Sequence, residues 1–325
     1  MQWHFPTATE AKDPLKAKKR ADMNKEREDK KRHESTSVPP TAKRPRTSTT
    51  SAAAASKDDF LELADATSVA IIVPYRDLHP SQQRAAHLKQ FVPHMHQFFA
   101  KLQRKGLVSG YHVYIVDQSS DGRKFNRGKL LNIGFDMAVK SGRKHDVFVF
   151  HDVDLLPSPE LGRWYAKMPT KPIHIARVWD RYSNNPKYFG GVVSFSKSDF
   201  RRINGYPNTF WGWGGEDDEL QNRLERNGIK FESPDKGSLQ DLEEMNLDEK
   251  LSFLRQNKSW KCMVKWEALD EHQATWKENG MADLKYKVIS NKLMDDTKNA
   301  SFVNVDVMLN GTHWANVKAG VDFMG

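Results

Sequence analysis

Apolar residues along this chain fall into runs and stripes with two distinct periods. Val69, Ala70, Ile71, Ile72 and Val73 form an unbroken apolar run, mostly β-branched, closed by Pro74. Such a run predicts a strand covered on both faces. Ala85, Leu88, Phe91, Val92, Met95, Phe98 and Leu102 then recur mostly at spacings of three and four, which marks one face of a helix. Residues 112–117, around Val113, Ile115 and Val116, predict a second strand. Residues 127–140 predict a second helix with Leu130, Leu131, Ile133, Gly134 and Met137 inward, and residues 146–150 a third strand. Beyond these, 173–175 and 192–195 read as strands, 216–226 as a helix opening with acids that complement its dipole, and 301–309 as a late alternating strand. Residues 234–262 are charged, with enough spaced apolar positions (Leu242, Met245, Leu247, Leu251, Leu254) to be helical in part.

The β-α-β-α-β order predicts an α/β fold with a mostly parallel, doubly wound sheet flanked by helices. Ligands bind such sheets beyond the carboxyl ends of the strands. Arg76 and Asp77 after the first strand, and His151, Asp152 and Asp154 after the third, are therefore candidates.

Composition changes the picture at the N-terminus. The hydrophobic fraction of the 325 residues is 38%, below the roughly 45–50% of an ordinary globular chain. The deficit predicts a folded domain, 58–325, preceded by a polar tail, 1–57. That tail mixes charge runs, Ser/Thr clusters and Pro39-Pro40, and cannot bury enough apolar surface to offset the entropy of ordering. It carries 14 basic against 7 acidic residues, so most of the net +9 belongs to it. A basic excess held in a tail does not point to a nucleic-acid-binding face, and no nucleic-acid partner is expected. Lys43, Arg44, Pro45 and Arg46 read as part of a solvated linker, with a nuclear-import signal as the alternative. The single cysteine, Cys262, leaves no intrachain disulfide and favours a reducing compartment. No apolar run approaches the ~20 residues that span a bilayer, and the N-terminal residues lack a signal peptide's apolar core, so a soluble chain is expected.

Three motifs carry chemistry. His151-Asp152-Val153-Asp154-Leu155-Leu156-Pro157 follows a buried strand. If the backbone stays extended, Asp152 and Asp154 project to one side and approach one metal centre, one as ligand and the other bracing the site or the donor. Phe210-Trp211-Gly212-Trp213-Gly214-Gly215 leads into Glu216, Asp217, Asp218 and Glu219. Its glycines permit close approach, its indoles offer faces for a sugar ring, and four adjacent acids raise at least one pKa toward that of a general base. Phe125-Asn126-Arg127-Gly128-Lys129 is weaker, and offers Arg127 or Lys129 to a phosphate.

Taken in order, these pieces resemble the β-1,4-galactosyltransferase family (glycosyltransferase family 7) over roughly residues 69–232. Tyr188-Phe189-Gly190-Gly191 and Ile203-Asn204-Gly205-Tyr206-Pro207-Asn208 extend the match. Phe91 to Met95 and Asp217-Asp218-Glu219 lean toward the branch that galactosylates xylose on proteoglycan linkers. The resemblance implies a GT-A fold, with a donor-binding half at about 68–160 and an acceptor half at about 161–325. It implies an inverting transferase using UDP-galactose and Mn²⁺, acting on a glycan acceptor, in the Golgi lumen if it follows the family. By position, Pro74, Tyr75 and Arg76 would hold the uridine end, with Phe125 and Arg127 lining the nucleotide site. Asp154 would bind the metal, Val153 would lie near the ribose, and Arg181 near the diphosphate. Tyr188, beside Gly191, stands where the family uses Tyr to select galactose. Trp213 would lie under both sugars, Asp217 would be the base, and Glu216 and Asp218 would hold the acceptor.

The pattern breaks after residue 232. The family takes further metal ligands from a Met-x-x-His or His-x-His element, and aligning it on Met263-Val264-Lys265-Trp266 puts Trp where His is expected. His272 and Met263 are the candidate replacements. A sugar-binding protein that kept the pocket without catalysis, and transfer of another sugar such as N-acetylgalactosamine, are the alternatives.

Overall fold

The computed structural model describes residues 66–77, 80–182, 184–294 and 296–307. The tail expected at 1–57 and the end of the late strand, Met308 and Leu309, lie outside them. Chain contacts divide the protein into Met1–Leu61 and Glu62–Gly325, and every element below belongs to the second unit.

The strands are β1 Thr67–Tyr75, β2 Val108–Gln118, β3 Val147–His151, β4 Leu155–Pro157, β5 Ile173–His174, β6 Val192–Phe195, β7 Leu239–Asp241, β8 Lys287–Leu293 and β9 Ala300–Asp306. The α-helices are α1 Arg84–Arg104, α2 Arg127–Lys140, α3 Gly162–Ala166, α4 Lys197–Arg202, α5 Glu216–Arg226, α6 Leu247–Gln256 and α7 Lys265–Thr275. Seven strands form one sheet in the order β5-β6-β3-β1-β2-β9-β8, and β4 pairs with β7 in a separate ribbon.

The centre is parallel, as the alternation of strand and helix predicts. β1 runs parallel to β2 and β3, and β2 parallel to β9. Both margins are antiparallel: β6 runs against β3, β5 against β6, and β8 against β9, the last two strands being joined by a short connection with no helix among its described residues. β1 is buried throughout its central run, and its side chains alternate between two cores. Val69, Ile71 and Val73 meet Phe91, Met95 and Phe99 of α1. Ala70 and Ile72 meet Leu130, Ile133 and Phe135 beneath α2. Truncating a fully buried ring such as Phe91 to Ala would cost about 3–5 kcal/mol. Asn126 caps α2, its side chain accepting from the Lys129 amide at 3.0 Å.

One segment differs from expectation. The strand expected at 173–175 stops after His174 and becomes a 3₁₀ turn over Ile175–Val178. Residues 234–262 are helical in part, as expected, over α6 and the 3₁₀ turn Lys258–Trp260, while their earlier part forms β7. α6 opens with a capping box in which Asn246 and Glu249 each satisfy the other's backbone amide. No helix among the described residues is long and apolar enough to cross a membrane.

Candidate functional site

The aspartate pair sits where β3 gives way to a turn. The Asp152 amide donates to the Gly191 carbonyl at 3.0 Å, and the Leu155 amide reaches back to the Asp152 carbonyl at 3.4 Å. The backbone is therefore not extended there, and the two carboxylates take different partners. Asp152 pairs with Arg127 Nε at 2.7 Å, while Asp154 pairs with an Arg84 guanidinium nitrogen at 2.6 Å.

The partners of Asp154 come from the β4–β7 ribbon. Leu155 stands opposite Asp241, and the Leu242 amide donates to the Asp154 carbonyl at 2.8 Å. This register brings carboxylate oxygens of Asp154, Asp241 and Glu243 within 4.8 Å of one another. Three cations surround them. Arg84 bridges Asp154 and Glu243, Arg181 bridges Asp241 and Glu243, and Lys250 Nζ lies 2.8 and 2.9 Å from the two oxygens of Glu243. Burial opposes ionisation of Asp154, but Arg84 beside it prevails and draws its pKa down to about 2. Burial and Asp154 likewise oppose ionisation of Glu243, and Arg84 and Lys250 outweigh them. Asp241 differs: burial raises its pKa against the pull of Arg181. Three carboxylates make an all-oxygen donor set, which fits a hard divalent cation such as Mn²⁺ or Mg²⁺.

His272 and Met263 are placed elsewhere. His272 Nε2 lies 2.6 Å from Thr209 Oγ1 and its Nδ1 3.3 Å from Arg223, so both ring nitrogens face a different cluster from that of Asp154. Met263 is half exposed and Trp266 two-thirds exposed. The reason is the segment β7–α6. Asp241-Leu242-Glu243, earlier in the chain, places an x-spaced pair of carboxylates beside Asp154. The signal was present in the sequence: an alternating pair of potential ligands in the form His-x-His, with acids replacing both histidines. Arg84, Asp241, Glu243 and Lys250 are the site residues that sequence reasoning missed.

The acidic helix start forms the second half of the site. Gly215, at φ +107°, turns the chain into α5, and a Cβ there would run into the Phe210 ring. Arg127 gathers the acids around one guanidinium: Asp217 at 2.8 Å, Glu216 at 3.5 Å and Asp152 at 2.7 Å. Of the two basic residues weighed for a phosphate, Arg127 is the one that reaches this loop. Burial pushes the Asp217 pKa well up, and Glu216 and Asp152 add to the rise against the pull of Arg127. Glu216 is also raised by burial, and its second oxygen is buried without a hydrogen-bond partner. Asp218 is half exposed and pairs with Lys265 at 2.7 Å. A Cβ on Gly190 would collide with Asp217 Oδ2, so only glycine admits this carboxylate.

Tyr188 stacks on Tyr182 with ring centroids 4.1 Å apart, and its oxygen lies beside Gly191. Trp213 is 38% exposed, which leaves part of an indole face for a ligand. Its loop is tied to Phe125 by the Gly212 amide, at 2.8 Å from the Phe125 carbonyl. On the β1 side, Pro74 and Tyr75 end the strand, Val153 is buried, and Arg76 donates to the Arg123 carbonyl at 2.6 Å and pairs with Asp121. Arg181, expected near a diphosphate, lies at the carboxylate triad.

Comparison with known proteins agrees with this geometry. Residues 59–165 match the N-terminal region of glycosyl transferase group 7, and residues 170–247 match the N-terminal domain of galactosyltransferase. Human β-1,4-galactosyltransferase 4 is 34% identical over 226 residues, 68% of this chain and 59% of that protein. Mouse β-1,4-galactosyltransferase 2 is 38% identical over 173 residues, 52% of this chain and 43% of that protein. The chain thus spans about half the length of these relatives. The catalytic domain of Drosophila β-1,4-galactosyltransferase 7, solved with xylobiose, superposes with a TM-score of 0.59 at 28% identity, covering 75% of this chain and 95% of that one. A variant of the fly enzyme, with one aspartate replaced by asparagine, was solved with manganese, UDP-Gal and xylobiose. This chain belongs to the β-1,4-galactosyltransferase family.

Proposed function

We propose that the protein transfers galactose from UDP-galactose to a sugar hydroxyl with inversion, forming a β-1,4 linkage. The observation that supports this most is the linkage of two unlike acidic groups at the strand ends. In the triad of Asp154, Asp241 and Glu243, cations favour the ionised forms of Asp154 and Glu243. Asp217, reached from it through Asp152 and Arg127, has a pKa raised by burial. A site that separates an electrostatic cradle from a poised base is what glycosyl transfer requires.

A divalent cation held by Asp154, Asp241 and Glu243 would supply Lewis-acid stabilisation to the diphosphate oxygens. Arg84 and Arg181 lie beside those carboxylates and offer guanidinium donors to the same charge. Asp217 accepts the proton of the acceptor hydroxyl. The oxygen so released attacks the anomeric carbon from the face opposite the diphosphate, that carbon's bond to the diphosphate oxygen breaks, and UDP departs. Arg127 orients Asp217 and Asp152, Glu216 and Asp218 face the acceptor, and Trp213 offers its ring to a sugar. Pro74, Tyr75, Arg76, Phe125 and Val153 border the nucleotide. Tyr188, packed against Gly191 and near Asp217, limits the space at the donor sugar, which supports galactose over its N-acetylated relative. The fly enzyme's binding of xylobiose makes a xyloside the first acceptor to try.

The test is UDP release from UDP-galactose with Mn²⁺ and a xyloside or N-acetylglucosamine acceptor, for the wild type and Asp217→Asn. Turnover that falls by at least ~10²-fold in the variant supports the reading. Mn²⁺-dependent UDP binding with no turnover on any sugar acceptor would instead favour the binding protein.

A further inference from the structure

Three cations face the three carboxylates of the triad, and Asp152 acts on Arg84 from beside it. Asp154, Asp241 and Glu243 contribute three negative charges, and Arg84, Arg181 and Lys250 contribute three positive ones. Side-chain exposures are 5% for Glu243, 4% for Arg181 and 6% for Lys250, and 9–16% for Asp154, Asp241 and Arg84. His87 adds a ring nitrogen 3.2 Å from Arg84 on the same helix. Lys250 comes from α6, in the segment where the chain departs from the family pattern, and its ammonium contacts both oxygens of Glu243 at 2.8 and 2.9 Å.

We propose that Lys250 is a built-in counter-ion that keeps the metal site closed, so that a divalent cation binds tightly only together with a diphosphate. The inference rests on the transferase reading of this site. A divalent cation entering alone would leave two uncompensated positive charges in a buried cluster, where like charges repel far more than in water. A diphosphate entering alone would leave about two uncompensated negative charges. Entering together they restore the balance, and each raises the other's affinity by the same factor. Lys250 also lines a cavity of about 350 Å³, shared with Gln83, His87, Gln90 and Gln240, which gives its ammonium room to withdraw from Glu243.

The experiment is a titration of the full chain with Mn²⁺, read by the electron-paramagnetic-resonance signal of the free ion. It is run with and without saturating UDP and corrected for Mn²⁺–UDP formed in solution. Wild type should bind Mn²⁺ at least about tenfold more tightly with UDP present, a coupling of about 1.4 kcal/mol. Lys250→Met should bind Mn²⁺ alone about tenfold more tightly than wild type and lose a like part of the UDP-dependent gain. Lys250→Arg, which keeps the charge, should resemble wild type. Circular dichroism confirms that each variant is folded. Tight Mn²⁺ binding by wild type without UDP, or unchanged nucleotide-free affinity in Lys250→Met, would overturn the proposal while leaving the transferase reading in place. Absence of both Mn²⁺ and UDP binding would overturn the two together.

Discussion

Two ionic clusters of this protein are satisfied in different ways. In one, Arg223 and Glu219 are fully buried on α5 and pair at 3.1 Å. Arg223 also donates to the carbonyls of Asn204, Gly205 and Asn279, and Arg226 and His272 close the rest. In the other, Asp154, Asp241 and Glu243 are matched mainly by the ends of long side chains, those of Arg84, Arg181 and Lys250. Backbone carbonyls cannot leave, whereas long side chains can. The first arrangement fixes α5, whose first turn carries Glu216, Asp217 and Asp218. The second, on the proposal above, exchanges its counter-ions for a ligand. Burial and charge alone therefore do not mark a site; the mobility of the partners does.

That contrast can be broken in order of effect. Asp217→Asn should lower kcat/KM by about 10³-fold or more with acceptor binding retained, measured by UDP release, because the variant cannot accept the acceptor proton. Arg223→Met should instead act on folding. It leaves Glu219 buried with fewer partners and should destabilise by about 3 kcal/mol, seen in urea unfolding. A loss under about 1 kcal/mol would mean that this cluster is as replaceable as the other.

The pH dependence gives an intermediate effect. Asp217 must be ionised to act, and its pKa is raised by burial, by Glu216 and by Asp152. The acidic limb of kcat/KM should then lie above the ordinary aspartate range near ~4. For stability the sign reverses: a raised folded pKa stabilises the fold below the unfolded value, and this contribution is lost as pH rises through the folded one. Asp217→Asn should accordingly melt higher than wild type at neutral pH, with the gap closing under acid. Equal melting temperatures at both pH values would show that Arg127 fully offsets the burial. The smallest effect is on specificity. Tyr188→Leu should raise the use of UDP-N-acetylgalactosamine relative to UDP-galactose by about tenfold, measured in competition.

The central fold was legible in the sequence because it depends on local periodicity. The apolar run from Val69 to Val73, the α1 stripe and the bounds of α2 all reappear in the structure. The antiparallel margins were not legible, since no local pattern records which edge a short strand such as Ile173–His174 will join. The acids of the α5 start could be picked out for the same local reason. The x-spaced acids Asp241 and Glu243 are visible in the sequence, but their meeting with Asp154 is not, because it runs through a β4–β7 ribbon that joins distant stretches of the chain. His272 attracted attention by residue type. Its ring is held by Thr209 and Arg223, a contact that nothing near position 272 announces.

The most direct test of the two-cluster account is the Mn²⁺ concentration dependence of UDP release, with Glu243→Gln and His272→Gln compared against wild type. The account expects Glu243→Gln to raise the Mn²⁺ needed for half-maximal rate by about tenfold or more, and His272→Gln to leave it unchanged while lowering the melting temperature. A shifted Mn²⁺ requirement in His272→Gln with none in Glu243→Gln would contradict it and return the metal to the segment around His272.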